Sequence, residues 1–386
     1  MTAKDHNPSS THPPLPPTPE DEQFARLRLL RSRRVGITTY KRLLTEYGTA
    51  QNALAALPQV ARAAGVPAYQ TCPEGVIHAE LHAARAVGAR LLMLGEAPYP
   101  ALLAELDDAP PFLWMIGDAS LLSRPMISLV GARNASSLGT RMARGLARDL
   151  GAAGYVVASG LARGVDAAAH IGALDSGTIA VQAGGVDVIY PAENAELARD
   201  IATRGLRLSE QPMGLQPMAR HFPSRNRIIS GLSRATIVVE AAAKSGSLIT
   251  ARDALDQGRD VLVVPGHPLD ARAAGCNMLI REGATLVRSA ADVIEALAEE
   301  TPRATPPRTA PAARPRAKPP ERRRSLRETA TLHLQILSRL GPSPVAEDQL
   351  IRDLKAAPAE VAPALVDLEL EGQIARRPGG LLTKVV

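Results

Sequence analysis

The chain of 386 residues is too long for one ordinary domain, so two or three domains are expected. Hydrophobic residues make up 45% and aromatic residues only 3%, so the core must be aliphatic and alanine-rich. The formal net charge is +6, yet residues 301–325 hold eight Lys/Arg and one acid, a local +7 that leaves −1 for the remainder. Residues 125–300 hold 18 basic and 18 acidic side chains, which excludes a globally basic core. Any polyanion site there must be a local concentration of arginines and oriented N–H groups. Two cysteines, Cys72 and Cys276, make no disulfide framework and fit a reducing cytoplasm. The first twenty residues lack the apolar stretch of a signal peptide, and no apolar run approaches the roughly 18 residues needed to span a bilayer. A cytoplasmic protein with no membrane partner is expected.

In chain order, residues 1–20 are rich in Pro, Ser and Thr and are expected to be disordered. Residues 21–90 read as a helical module. Phe24, Leu27, Leu29 and Leu30 open it, Gly36 and Gly48 break it, and Tyr40, Leu43, Leu44, Leu54 and Leu57 supply apolar faces. Short helices joined by glycine turns resemble a helix-hairpin-helix or sterile-alpha-motif-like module, or equally a small helical cap without a ligand. Residues 91–300 form the main domain. From 125 onward, strand-like runs (Met126–Val130, 155–158, 178–183, Leu206–Ser209, 236–240 and 260–265) alternate with helical stretches at 137–151, 165–174, 194–203 and 248–257. That alternation predicts an α/β fold: an extended, Rossmann-like, doubly wound parallel sheet covered on both faces. Residues 301–325, with seven prolines and no apolar periodicity, read as an extended, disordered Pro/Arg linker that is either a solvated spacer or a weak, salt-sensitive attraction for nucleic acid. Residues 326–386 read as a winged-helix domain, with helices at 328–340, 346–354 and 358–372 and a hairpin turning at Pro378-Gly379-Gly380. Its third helix carries four acids and no Lys or Arg, which suits a protein contact better than the DNA major groove.

The chemistry-bearing residues cluster where strands end, the place where doubly wound sheets bind ligands. Gly131-Ala132-Arg133 follows the first strand, with Ser136 and Ser137 as N-cap candidates of a helix whose N–H groups favour an anion. Ser159-Gly160-Leu161-Ala162-Arg163-Gly164 follows the second strand and is not a GxGxxG dinucleotide fingerprint. Asp166 and His170 share a helix face behind it, Asp166 as a cap or a partner of Arg163, His170 packed under the loop. His221-Phe222-Pro223-Ser224-Arg225-Asn226-Arg227 joins an aromatic ring to a basic pair, the combination that single-strand binding uses. One of its arginines is expected inward, held by Glu240, and the other at the ligand. Ser245-Gly246-Ser247 opens a helix after another strand and lacks the lysine of a Walker A loop. Four strand ends thus read as anion-ready. Residues 275–277 read as structural. No catalytic group, metal-ligand set or cofactor is expected.

These strings resemble the DNA-processing protein A (DprA/Smf) family: LWMIGD (113–118), VGAR (130–133), SGLARGVDAAAH (159–170), DVIYP (187–191), FPSRNRIISGLS (222–233), SGSLITA (245–251), VPG (264–266) and GCNMLIREGA (275–284). The resemblance covers roughly 95–290 densely. It implies an extended Rossmann fold that binds single-stranded DNA, usually as a homodimer, and loads the RecA recombinase onto that DNA during natural transformation; without a convincing catalytic group the protein is expected not to be an enzyme. It places Arg133, Ser159, Gly160, Arg163, Phe222, Arg225, Asn226, Arg227, Ser245, Gly246 and Ser247 around the DNA. Ala132, Leu138 and Ala183 stand where the family commonly has Ser, an aromatic and Gly. The competing expectation is a nucleoside-monophosphate phosphoribohydrolase on a related Rossmann core. That enzyme carries a PGGxGTxxE string with a catalytic Glu, whereas SGSLITARDA here ends without one.

Overall fold

A computed structural model describes residues 18–299, 326–340, 345–354, 356–377 and 381–384. Of the segments expected to be disordered, 1–17 and 301–325 lie outside the described residues, as does the turn at 378–380, whereas Thr18, Pro19 and Glu20, expected in the disordered stretch 1–20, cap and open the first helix. The described residues belong to two compact units, one built from 1–77 and 317–386 and the other from 78–316.

In the first unit, α1 (Pro19–Arg31) starts at a capping box: Thr18 accepts from the Asp21 N–H while the Asp21 carboxylate accepts from Thr18. α2 (Ile37–Tyr47) and α3 (Ala50–Ala63) follow, and Thr49 caps α3 through the Asn52 N–H. Leu27, Leu29, Leu43 and Leu57 bury the apolar faces that the spacing announced. α4 (Glu74–Ala86) leads into the second unit.

The second unit is a nine-stranded sheet. Its strands are β1 (Arg90–Met93), β2 (Phe112–Gly117), β3 (Met126–Val130), β4 (Val156–Ser159), β5 (Thr178–Val181), β6 (Leu206–Ser209), β7 (Ala235–Val238), β8 (Asp260–Val263) and β9 (Thr285–Leu286). The spatial order is β1-β2-β6-β5-β4-β3-β7-β8-β9. From β6 to β9 every pairing is parallel, which is the expected doubly wound sheet. β1 and β2 were not expected from the strand–helix alternation. They add an antiparallel edge beside β6. Strands β3 to β6 build outward in one direction and β7 to β9 in the other, so the order reverses between β3 and β7. The carboxyl ends of those two neighbours diverge there and leave a crevice.

The connections are α5 (Ala101–Ala104), α6 (Ser137–Ala152), α7 (Val165–Ala173), α8 (Ala195–Arg204), α9 (His221–Gly231), α10 (Ser247–Asp256), α11 (Ala274–Arg281) and α12 (Ala290–Glu299). One face of the sheet is covered by α6, α7 and α12. Ala143, Ala147, Ala168 and Ala169 let α6 and α7 lie close to each other over Ile127, Leu129 and Val157. The other face takes Ile228 and Ile229 of α9, Leu248 of α10 and Leu279 of α11. The aliphatic core demanded by the composition is therefore two alanine-lined layers. Its one tryptophan, Trp114, is buried on β2 with its indole N–H on the Glu80 carboxylate at 2.8 Å.

The chain returns to the first unit with α13 (Leu326–Arg339), β10 (Val345–Ala346), α14 (Glu347–Leu354), α15 (Pro358–Leu370), β11 (Ile374–Arg377) and β12 (Leu381–Lys384). The three strands pair in the order β10-β12-β11 against a core of Leu332, Ile336, Leu350, Leu365 and Leu382, a winged helix. No helix among the described residues is long and apolar enough to cross a membrane.

Candidate functional site

The crevice at the β3/β7 reversal is a cleft of about 580 Å³. It is lined by the β3 end (Gly131, Ala132, Arg133, Asn134), the loop after β4 (Ala162), the start of α7 (Asp166), the first turns of α9 (Phe222, Arg225, Asn226) and the segment 244–247 that opens α10. The run 221–227, a polar cluster without an assigned element in the sequence, forms the first two turns of α9. The helix gives its two arginines different directions.

Arg225 is 5% exposed and its Nη1 donates to the carbonyl oxygens of Gly160 and Val181, both at 2.5 Å. A Cβ on Gly160 would run into that guanidinium, so only glycine admits the arginine here. Asp166, also buried, accepts from the N–H groups of Gly160 at 3.1 Å and Ala162 at 3.3 Å. Burial pushes the Asp166 carboxyl up from its ordinary range, and the Arg225 guanidinium and the two N–H donors oppose that shift. Burial lowers Arg225 to about 10, with Asp166 pulling the other way, so Arg225 stays charged at neutral pH. His170 lies beneath the same loop, fully buried. Its Nε2 accepts from the Leu161 N–H at 3.2 Å and its Nδ1 meets Thr178 Oγ1 at 2.7 Å. Because Thr178 Oγ1 donates to the Val157 carbonyl, Nδ1 must carry the proton. Burial, reinforced by Arg225, depresses His170 to about 3 and keeps it neutral. Leu161 pays for this arrangement with φ +55°, a left-handed conformation that costs a branched residue about 1–3 kcal/mol. The buried Leu161 side chain, its bond to His170 and the Asn194 amide on its carbonyl hold it there.

The opposite wall is open. Arg133 is exposed and lies over the Phe222 ring, 5.1 Å from guanidinium carbon to centroid. Lys244 is exposed just ahead of Ser245-Gly246-Ser247. Ser245 and Ser247 hold each other hydroxyl to hydroxyl at 2.7 Å at the N-terminus of α10, where the positive end of the helix dipole meets the cleft.

Two of the four strand ends expected to receive an outside anion are filled from within. The α6 N-terminus receives the chain's own Glu240: Ser136 N–H and Oγ both donate to it, at 3.1 and 2.9 Å, while Ser136 Oγ caps the Gly139 N–H. The loop after β4 receives Asp166. Neither arginine of α9 is held by Glu240, contrary to expectation; Arg272 pairs with it at 3.4 Å. Asp166 does not pair with Arg163, which instead meets Glu193 at 3.4 Å on the surface. Arg227, expected at the ligand when its neighbour turns inward, pairs with Glu210 at 2.5 Å and Asp108 at 3.3 Å. One helical step of about 100° separates consecutive side chains, and two steps carry Arg227 away from Arg225.

Of the residues singled out in the sequence, the structure gathers Arg133, Phe222, Arg225, Asn226, Ser245, Gly246 and Ser247 around the cleft. Ser159, Gly160, Arg163 and Arg227 are engaged elsewhere. Ser159 donates to the Leu129 carbonyl at 2.6 Å and Gly160 serves Asp166 and Arg225. Residues 275–277, read as structural, include Asn277, which exchanges two hydrogen bonds with the Gly266 backbone. Sequence reasoning missed Lys244, Asn134 and Arg272. Lys244 had a signal, a lone cation one residue ahead of a helix-opening Ser-Gly-Ser; Arg272, far downstream in a loop, had none.

Comparison with known proteins supplies the lineage. Residues 90–298 match the family described as DNA recombination-mediator protein A, residues 20–83 the DprA-like N-terminal HHH domain, and residues 299–380 the DprA winged helix domain. The DNA processing protein DprA of Bacillus subtilis (strain 168) is 42% identical over 228 residues, 58% of this chain and 77% of the relative. The X-ray structure of DNA processing protein A from Streptococcus pneumoniae superposes with a TM-score of 0.59 at 35% identity, covering 70% of this chain and 97% of that one. A Helicobacter pylori DNA processing protein A, whose structure is described as giving insight into its single-stranded DNA binding mode, superposes with a TM-score of 0.51 at 31% identity, covering 55% and 96%. Matches to the family's central, N-terminal and winged-helix models leave one lineage: the chain belongs to the DNA recombination-mediator protein A (DprA/Smf) family.

Proposed function

We propose that this protein binds single-stranded DNA in the cleft at the β3/β7 reversal and acts as a homodimeric mediator that delivers the strand to the RecA recombinase during natural transformation. One observation carries the strand-binding reading: Arg133 on an aromatic face and Lys244 just ahead of the α10 N-terminus line the same cleft, and neither has a carboxylate partner among the described residues. That pattern takes phosphates on cations and bases on rings, without reading sequence. The single-strand binding of the Helicobacter pylori relative supports the same reading. Delivery to RecA, dimerisation and a place in transformation rest on family resemblance. In this reading the protein is a binder and not an enzyme, because Asp166, the acid that lines the cleft, is buried and engaged by the loop after β4, as is His170 beneath the same loop.

The test is the affinity of the full chain for single-stranded and duplex DNA at two salt concentrations. Single strands are expected to bind more tightly. Arg133→Ala and Lys244→Ala are each expected to weaken single-strand binding and to lower the salt slope by about 0.7 per lost cation. Unchanged isotherms for both variants overturn the reading.

A further inference from the structure

We infer that Tyr190 is a nucleobase-stacking residue, seating a base just outside the cleft where the strand passes over Phe222; this rests on the single-strand reading above. Phe222 is the aromatic residue of the cleft, but it is not a free ring. Arg133 lies over it at 5.1 Å, Arg225 stands 6.0 Å from its centroid, and Tyr190 packs against it with centroids 5.8 Å apart and planes tilted by 57°. A base arriving at Phe222 must displace the arginine. Tyr190 is different. It is 51% exposed, in a chain whose composition leaves six tyrosines, three phenylalanines and one tryptophan to share all its aromatic work.

Tyr190 stands on the connection between β5 and α8 and is not among the residues lining the cleft. Phe222 thus meets Arg133 within the cleft and Tyr190 outside its lining, so the pair of rings leads outward from the cleft. The tilt prevents a base from entering between the two rings, so the ligand face is the outer face of Tyr190. Every nucleobase offers a π-face, so the contact adds affinity without sequence preference.

The experiment compares short oligothymidine with an abasic deoxyribose-phosphate strand of the same length, on the full chain. Tyr190→Ala is expected to weaken oligothymidine binding by about 5- to 100-fold, the range for losing one aromatic–base stack. It is expected to leave abasic binding as in the unsubstituted protein, and Tyr190→Phe is expected to restore oligothymidine binding. Tyr190→Trp is expected to show fluorescence quenching with oligothymidine and none with the abasic strand, the other tryptophan being buried. If Tyr190→Ala binds oligothymidine like the unsubstituted chain, this inference falls and strand binding stands. An equal loss on both strands also overturns it, because Tyr190 then acts through the backbone path or the fold. If the unsubstituted chain binds neither strand, the underlying reading fails first.

Discussion

The two walls of the cleft are built from the same parts and use them in opposite ways. Each has strand ends, helix N-termini and arginines. On the wall formed by the β4 loop and α9, the buried charges are answered from within: Asp166 fills the backbone N–H groups, and Arg225 is buried against two carbonyls and beside Asp166. On the wall formed by the β3 end and the start of α10, Arg133 and Lys244 stand in solvent with no carboxylate partner among the described residues. A buried ion must be answered, because leaving it alone costs several kcal/mol, whereas an exposed one costs almost nothing to leave waiting. The first wall therefore holds a shape and the second is free to hold a ligand. Substitutions should separate accordingly, into losses of stability on one side and losses of affinity on the other.

The largest effect falls on the closed wall. Arg225→Ala leaves Asp166 buried without its cation and two carbonyls without their donor, and is expected to cost about 3–5 kcal/mol in urea denaturation. Arg225→Lys keeps the charge but replaces the planar guanidinium, whose Nη1 serves both Gly160 and Val181, with a compact ammonium on a different stem, so it recovers only part. Any loss of strand affinity in Arg225→Ala then follows from a collapsed loop. By contrast, Arg133→Ala and Lys244→Ala should leave the urea midpoint where it is. If Arg225→Ala unfolds at the same urea concentration as the unsubstituted chain, the division between the walls is broken.

His170→Ala comes next. It strands the Leu161 N–H, at about 1–3 kcal/mol for a buried group left unsatisfied, removes one of the two partners of the Thr178 hydroxyl, and frees Leu161 to leave φ +55°. The pH dependence has a definite sign. His170 titrates near 3 when folded and near its ordinary value, about 6.5, when unfolded. Its contribution is therefore present above pH 6.5 and is lost as pH falls from 6.5 toward 3, because only the unfolded chain takes up the proton. Urea denaturation between pH 7 and 4 should show stability falling by up to about 1.4 kcal/mol per pH unit from this one group, and His170→Ala should remove that slope. An unaltered slope would mean that the imidazole is accessible to protons in the folded loop.

How much of this was legible in the sequence follows the same division. Strand–helix alternation showed the parallel sheet because buried parallel strands are short apolar runs ending at Gly or Ser, as at Gly131 and Ser159. It did not show β1 and β2, whose apolar run from Phe112 follows Pro110-Pro111 and pairs antiparallel across a long loop. Residue type placed Arg133, Phe222 and Ser245 at the cleft, since each lies within a few residues of a strand end or helix start. It did not distinguish Arg225 from Arg227, because that depends on which face of α9 meets the sheet, and the polar run 221–227 has no apolar periodicity to fix the face. Nor did it show that Glu240 and Asp166 fill two of the expected anion sites. A carboxylate 104 residues from the N–H it satisfies leaves no local trace.

Arg163 gives the smallest effect and the sharpest control. It lies on the closed wall's loop, but its side chain is on the surface, 62% exposed and 3.4 Å from an equally exposed Glu193. Such a pair contributes about 0–1 kcal/mol, so Arg163→Ala should move the urea midpoint barely at all. Its side chain does not line the cleft, so single-strand affinity at moderate salt should stay within about twofold, inside the range of one screened surface charge. The variant thus tests whether charge alone, wherever it sits near the sheet's carboxyl edge, draws the strand in. If Arg163→Ala loses as much affinity and as much salt slope as Arg133→Ala, the strand crosses the outer side of the β4 loop as well. The closed wall would then be a binding surface in its own right, with Glu193 as the counter-ion that the phosphate displaces.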